Sequence, residues 1–240
     1  MQSQDRKNRV YYDDFSGWYE RERGAGYHAL IDEIEVAAVE EFAVGKRVLE
    51  AGCGTGLVLS RLARVAKEAH GFDLSRGMVD KARERGLSVS LGSVTAVPFQ
   101  SNSFDLVCSF KVLAHVPDID GALRELARVT RPGGTLVLEF YNPWSLRYLA
   151  KRIAGPQRIS EDRTEADVYT RWDAPFTIRK RLPPNLSLVE YRGVRVATPF
   201  ALVHKIPVIR DVFAHIERKS VRSPLRYFGG FLLAVLRKHA

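Results

Sequence analysis

Val48-Leu49-Glu50-Ala51-Gly52-Cys53-Gly54-Thr55-Gly56 runs a short apolar stretch into glycines at every second position. Arg47–Glu50 reads as a buried strand. Leu57–Lys67 reads as a helix, with Leu59, Leu62, Ala63 and Ala66 on one side. Glycines let the backbone approach a ligand closely, and the helix start offers unpaired N–H groups. Downstream, Ala69–Leu74 is a second strand that contains Asp73. Ser75 caps the next helix and Gly86 ends it. Leu87–Leu91 and Phe104–Ser109 are strands three and four. A helix over 120–130 and the turn Arg131-Pro132-Gly133-Gly134 lead to a fifth strand, Thr135–Tyr141. This alternation predicts parallel βαβ units in a doubly wound sheet. Leu136-Val137-Leu138 is apolar on both faces, as a sheet covered by helices requires. Upstream, Tyr27–Phe42 has the spacing of an amphipathic helix.

Past Asn142-Pro143 the pattern loosens. Trp144–Ile153 and Pro207–Ser220 read as helices and Leu186–Ala197 as a strand, while residues 155–170 are polar. Phe231–Leu236 is an apolar run of strand length, read as a last sheet strand rather than a membrane-seeking helix. The 240 residues suit one domain. Its parts are a lid and helix (1–44), a ligand-binding core (45–142), and insertions with the final strands (143–240). Two cysteines, Cys53 and Cys108, cannot build a disulfide scaffold or a four-ligand zinc site, and no metal site is expected. The polar start lacks the apolar core of a signal peptide, and no run is long enough to span a bilayer. The expected location is the cytoplasm.

The net charge of +9 invites a nucleic-acid reading. Its distribution argues otherwise. Residues 1–142 hold 18 Lys and Arg against 20 Asp and Glu, a balance of −2. Residues 143–240 hold 19 against 8, a balance of +11. The ligand-binding part therefore has no basic excess of its own.

Two kinds of cofactor could use the glycine turn. A dinucleotide site wants Gly-x-Gly-x-x-Gly/Ala, and Leu57 fills the last position. The pattern is instead Glu50-x-Gly-x-Gly-x-Gly. That carboxylate would repel a pyrophosphate and attract an ammonium. S-adenosylmethionine carries an ammonium and a sulfonium but no phosphate.

Here the chain resembles the class I S-adenosylmethionine-dependent methyltransferases, within them the small-molecule type that includes the ubiquinone and menaquinone methyltransferases. The marks are Val48–Gly56, Gly71-Phe72-Asp73-Leu74-Ser75 with Met78, Val97-Pro98-Phe99, Ser103-Phe104-Asp105, His115-Val116-Pro117-Asp118 and Arg131–Gly134. The resemblance implies a Rossmann-like, mostly parallel seven-stranded sheet with an N-terminal helical lid and C-terminal helical insertions. It implies that Glu50, Gly52 and Gly54 surround the methionine moiety of S-adenosyl-L-methionine. Asp73 would accept the ribose hydroxyls, and Leu74 and Met78 would pack on the adenine. Ser93 departs from the family's aspartate at the adenine amino group, and Val94 offers its backbone N–H. Phe110, beyond strand four, joins this set. Tyr12 and Tyr19 are the lid residues expected against the cofactor, since aromatic faces suit a sulfonium.

The acceptor should lie beyond strand four, where His115 is the candidate general base or a loop-ordering residue. Lys111 is expected to point to solvent or to attract an acidic substrate group. The expected reaction is in-line methyl transfer to a small, partly apolar metabolite, with O-methylation favoured over C- or N-methylation. Base-modifying enzymes of this class carry Asp/Asn-Pro-Pro-aromatic after strand four. Here Ser109-Phe110-Lys111-Val112 stands in its place, and Cys108 reads as core, which disfavours nucleic acid. Three alternatives stay open: an RNA methyltransferase, a non-catalytic cofactor-binding protein, and a membrane-surface protein that uses 143–240 for weak contact with acidic surfaces.

Overall fold

The computed structural model describes residues 9–13, 26–155, 158–160, 163–164, 169–198 and 207–239. Seven strands form one sheet: β1 Arg47–Ala51, β2 Glu68–Asp73, β3 Ser88–Leu91, β4 Phe104–Ser109, β5 Thr130–Tyr141, β6 Leu186–Val194 and β7 Phe231–Lys238. Their spatial order is β3-β2-β1-β4-β5-β7-β6. The first five pair in parallel, and β7 runs antiparallel to both β5 and β6. The Phe231–Leu236 run is thus a sheet strand, wedged between β5 and β6. Its residues Leu232, Leu233, Ala234 and Leu236 are fully buried, as an interior strand covered on both faces requires.

The helices are α1 Tyr27–Ala37, α2 Glu40–Ala43, α3 Leu57–Leu62, α4 Arg76–Glu84, α5 Ile119–Val129, α6 Leu146–Ala154, α7 Pro175–Arg181 and α8 Pro207–Ser220. Residues 9–13 are also helical. One apolar cluster packs α5 against β1, β4, β5 and β7 through Phe104, Leu123, Leu126 and Leu138. The opposite face packs α1 and α3 through Ile31, Ile34, Val58 and Leu62.

Several boundaries differ from the sequence expectation, three of them with a local cause; the strand expected over Leu186–Ala197 also ends earlier, at Val194. The helix over Tyr27–Phe42 breaks at Ala38–Val39 into α1 and α2, where Ala38 donates its N–H to the Ile34 carbonyl and closes the first helix. α3 ends at Leu62 rather than Lys67, because Lys67 donates to the Lys46 carbonyl as the chain enters β2 beside β1. β5 begins at Thr130, so the Arg131–Gly134 turn interrupts a strand instead of preceding one. α7, opened by Pro175 at its first position, had no sequence signal read for it. Among the described residues no helix is long and apolar enough to cross a membrane.

Candidate active site

The sheet order reverses between β1 and β4, and a crevice opens at the carboxyl ends of strands at such a point. A cleft with about 760 Å³ of empty space lies there. Gly52 and Gly54 leave β1 into it, Asp73 ends β2, Ser93 and Val94 follow β3, and Phe110 follows β4. Leu74, Met78 and Tyr12 complete much of its wall, and His115 lies on it too, on the side where the sequence placed the acceptor. The structure thus gathers nearly all the residues that the sequence singled out, drawn from four separate connections. Tyr19 lies outside the described residues.

The glycines are there for different reasons. Gly52 has φ +71°, and a Cβ would sit 2.3 Å from a Val112 methyl, so the backbone and the acceptor loop touch. Gly54 has φ +54° with nothing within 4 Å of a would-be Cβ, which leaves a backbone cradle open to the cleft. The Asp73 carboxylate fixes this turn: Gly54 N–H donates to Oδ2 at 2.8 Å and Ser75 N–H to Oδ1 at 2.9 Å. Burial raises its pKa, against the lowering effect of those backbone donors.

Glu50 does not reach the cleft wall. It is buried at 3% exposure, and Oε2 has no hydrogen-bond partner. Burial pushes its carboxyl well above the usual range; Lys111 opposes the shift, and Glu35 and Asp32 reinforce it. An unsatisfied carboxylate oxygen beneath a glycine turn fits a cationic ligand group.

Lys111 corrects the expectation. It does not point to solvent but lies on the cleft wall, held by carboxylates. Its Nζ sits 2.8 Å from Asp32 Oδ1 and 2.6 Å from Glu35 Oε2, and its N–H donates to Glu139 Oε1 at 3.1 Å. The residue adopts φ +58°, an uncommon conformation for a lysine, which these contacts hold. Its partners lie 28 to 79 positions away in sequence, so no local pattern could show them.

Asp13 was also invisible in the sequence. Its Oδ1 accepts from Ser75 Oγ at 2.6 Å and from Gly77 N–H at 3.2 Å. Ser75 in turn caps α4 by accepting from Met78 N–H. Residues 9–13 are thereby pinned to the start of α4, with Tyr12 on the cleft wall. Ser93 Oγ is engaged with Thr95, 2.9 Å from its hydroxyl and accepting from its N–H at 3.3 Å.

His115 sits in a short 3-10 turn, Leu113–His115. Its Nδ1 lies 2.8 Å from the Tyr169 carbonyl, which can only accept, so Nδ1 carries the proton. Nε2 is left as the basic atom, 3.5 Å from Tyr141 Oη. Burial, assisted by the positive field of Arg147 and Lys151, lowers the imidazole pKa to about 4. It is neutral near pH 7. Arg171 ties the 169–173 segment to this turn, its N–H donating to the Ala114 carbonyl at 2.7 Å. Cys108 is core, fully buried in β4 with its thiol toward the Leu49 carbonyl.

Comparison with known proteins agrees with this geometry. The methyltransferase domain family matches residues 49–138. A demethylmenaquinone methyltransferase of Mycobacterium marinum is 36% identical over 133 residues, 52% of this chain and 58% of that protein. A malonyl-[acyl-carrier protein] O-methyltransferase of Serratia marcescens is 36% identical over 121 residues, 48% of each chain. The chain therefore spans about half the length of the curated relatives it matches. Among solved structures, a SAM-dependent methyltransferase from Thermotoga maritima superposes with a TM-score of 0.68 at 17% identity, covering 97% of this chain and 99% of its own; at that identity the likeness speaks for the fold. Residues 49–138, with the glycine turn and the acid at the end of β2, thus match a methyltransferase domain, and this part of the chain is similar to demethylmenaquinone and malonyl-[acyl-carrier protein] O-methyltransferases.

Proposed function

We propose that this chain methylates a small, partly apolar metabolite, at oxygen in the first instance and otherwise at carbon or nitrogen. When bound, S-adenosylmethionine supplies a methyl group already activated on a sulfonium. The chain's own task is then to position and to manage one proton; well-oriented reactants can gain about 7–11 kcal/mol. The cleft at the carboxyl ends of β1, β2 and β4, with the open backbone cradle at Gly54 held by the Asp73 carboxylate, is the observation that carries this reading.

Glu50 would neutralise the ammonium, with Gly52 and Gly54 giving backbone room. Asp73 keeps lone pairs beyond its two backbone donors for ribose hydroxyls. Leu74 and Met78 would flank the adenine, with Ser93 and the Val94 N–H at its edge. Phe110 closes the inner wall and Tyr12 the outer one. His115 presents Nε2, 3.5 Å from Tyr141 Oη, as a weak acceptor that is unprotonated near pH 7. A base with a pKa of about 4 takes a proton only in concert with bond formation, which suits an acceptor that ionises as it is methylated.

Tyr141 meets the His115 ring edge-on and continues into a cluster with Trp172 and Tyr148, tilted rings with centroids 5.5 Å apart for Tyr141–Trp172 and 4.8 Å for Tyr148–Trp172. That aromatic surface favours a planar or apolar acceptor body. The test is calorimetry with S-adenosylhomocysteine, followed by methyl transfer to a panel of phenols, enols and amines. Binding with turnover on at least one phenol or enol is the expected result. Absence of cofactor binding would sink the reading.

A second observation favours a weak surface contact as well. Leu146, Leu149 and Ile153 project from α6 into solvent, Ile153 at 79% exposure, and Lys151 and Arg152 lie on the same helix. An apolar ridge with cationic neighbours suits an acidic membrane surface. Sedimentation with vesicles containing anionic lipid, weakening as salt rises, is the expected behaviour.

A further inference from the structure

The stretch Asn142-Pro143-Trp144-Ser145-Leu146-Arg147 is more elaborately built than a connection requires. Asn142 Nδ2 donates to the carbonyls of Tyr227 at 2.7 Å and Gly229 at 3.0 Å, and its Oδ1 accepts from Trp144 N–H at 3.1 Å. Ser145 Oγ donates to the Asn142 carbonyl at 2.7 Å and accepts from Tyr148 N–H at 3.1 Å, capping α6. These bonds fix the first turn of α6, where Arg147 is carried inward to 7% exposure.

The guanidinium carbon lies 4.3 Å from the Tyr141 ring centroid, 4.8 Å from Phe231 and 5.0 Å from Trp172. Ring faces stabilise the cation but supply no in-plane lone pair for its N–H groups. Nε and Nη1 are buried with no hydrogen-bond partner. The dipole of α6 makes matters worse, since a cation in the first turn sits at the positive helix end.

Arg192 shows how the same protein treats a buried arginine that is only structural. It pairs with Glu190 and Glu41 and donates to the Ala38 carbonyl. Among the described residues no carboxylate does this for Arg147. Its neighbour is another cation: a Cβ on Gly230 would meet Arg147 Cδ at 3.1 Å and Arg195 Cδ at 3.3 Å. Tyr141 touches both the guanidinium and the His115 ring, at 4.3 Å and 5.5 Å. Arg147 therefore stands one side chain away from the acceptor end of the cleft.

We propose that Arg147, seated among Tyr141, Trp172 and Phe231, is an anion-recognition subsite for the methyl acceptor, which carries a carboxylate on a planar, partly apolar body. The inference rests on the methyl-transfer reading and names its substrate class. A carboxylate supplies the in-plane acceptors that the guanidinium edge lacks, and a bidentate pair would orient the acceptor toward His115 and the cofactor.

The test uses the full chain and two probes of one shape, 2-naphthoate and 2-naphthamide, titrated calorimetrically with and without S-adenosylhomocysteine. The wild-type chain should bind the carboxylate about 10- to 100-fold more tightly than the amide. Arg147→Met should bind both probes alike while keeping wild-type affinity for S-adenosylhomocysteine, which also shows that it folds. Arg147→Lys, which keeps the charge but not the planar fork, should retain only part of the preference. Equal binding of the two probes by wild type, or an intact preference in Arg147→Met, would overturn the proposal and leave Arg147 a structural cation. A chain that prefers naphthoate but does not bind S-adenosylhomocysteine would refute the methyl-transfer reading and leave the subsite standing.

Discussion

Two buried charge systems stand on either side of the cleft, and they are opposite in sign. On the cofactor side, Asp32, Glu35, Glu50 and Glu139 lie around Lys111. On the acceptor side, Arg147 and Arg195 lie side by side among aromatic rings. Burying an unmatched polar group is costly, and each system holds atoms without a hydrogen-bond partner, Glu50 Oε2 in the first and Arg147 Nε and Nη1 in the second. The acid-rich side is short of a cation, and the ammonium of S-adenosylmethionine would supply one. Arg195 lies in the field of the buried Glu217 carboxylate, whereas Arg147 would take its anion from the proposed acceptor. The overall charge balance of −2 before residue 143 and +11 from there on is the coarse trace of the same division.

The largest effect should come from breaking the acid-rich side. Lys111→Met leaves four carboxylates together and should cost about 3–5 kcal/mol at neutral pH, as loss of one partner from a buried pair does. Urea unfolding measures it. Glu50 and Glu139 already have carboxyl pKa values raised by burial. A raised carboxyl favours the fold when protonated, so that contribution is full below an unfolded pKa of about 4.3 and is lost as pH rises through the folded value. The Lys111→Met deficit should therefore shrink as pH falls. A deficit that grows in acid would contradict the charge assignment.

Glu50→Gln asks whether this acid-rich side serves the ligand or the fold. It removes a charge that the fold disfavours and the ammonium requires. Affinity for S-adenosylhomocysteine should fall by about 1.5–3 kcal/mol, the worth of a charged hydrogen bond, while the melting temperature holds or rises. Calorimetry and a thermal melt on the same sample separate the two. Unchanged affinity would remove Glu50 from the cofactor site.

His115 reports on the arginine side. Its folded pKa of about 4 lies below the unfolded value of about 6.5, so it contributes stability at neutral pH that is lost as pH falls through that window. His115→Gln should flatten the acid limb of the stability curve between pH 6.5 and 4. Arg147→Met, which removes one source of the field, should raise the wild-type imidazole pKa, and NMR titration reads that shift. The smallest effect belongs to Ser93→Asp at the adenine edge. Cofactor affinity should not drop, because the Ser93 hydroxyl is already spent on Thr95. A large calorimetric loss would show that this hydroxyl serves the ring after all.

Much of the cofactor site was legible because its signals are local. Glycines need positive φ at fixed spacing, Asp73 follows from where β2 ends, and parallel strands announce themselves as apolar runs. Lys111, Asp13 and Arg147 were not legible in the same way. Lys111 looked like an exposed loop cation until α1, 76 to 79 residues upstream, closed on it. Asp13 gains its meaning from Ser75, 62 residues away. Arg147 sits in a stretch read only as a helix, and its importance is a property of what fails to pair with it.

The sequence alone therefore determined the sheet, the glycine turn and the chemistry of the ligand that fits beneath it, because backbone conformation and hydrophobic period are short-range properties. The tertiary structure decided which charges are buried and whether they are matched. That depends on distances between side chains far apart in the chain, and a low-dielectric interior makes each unmatched charge count.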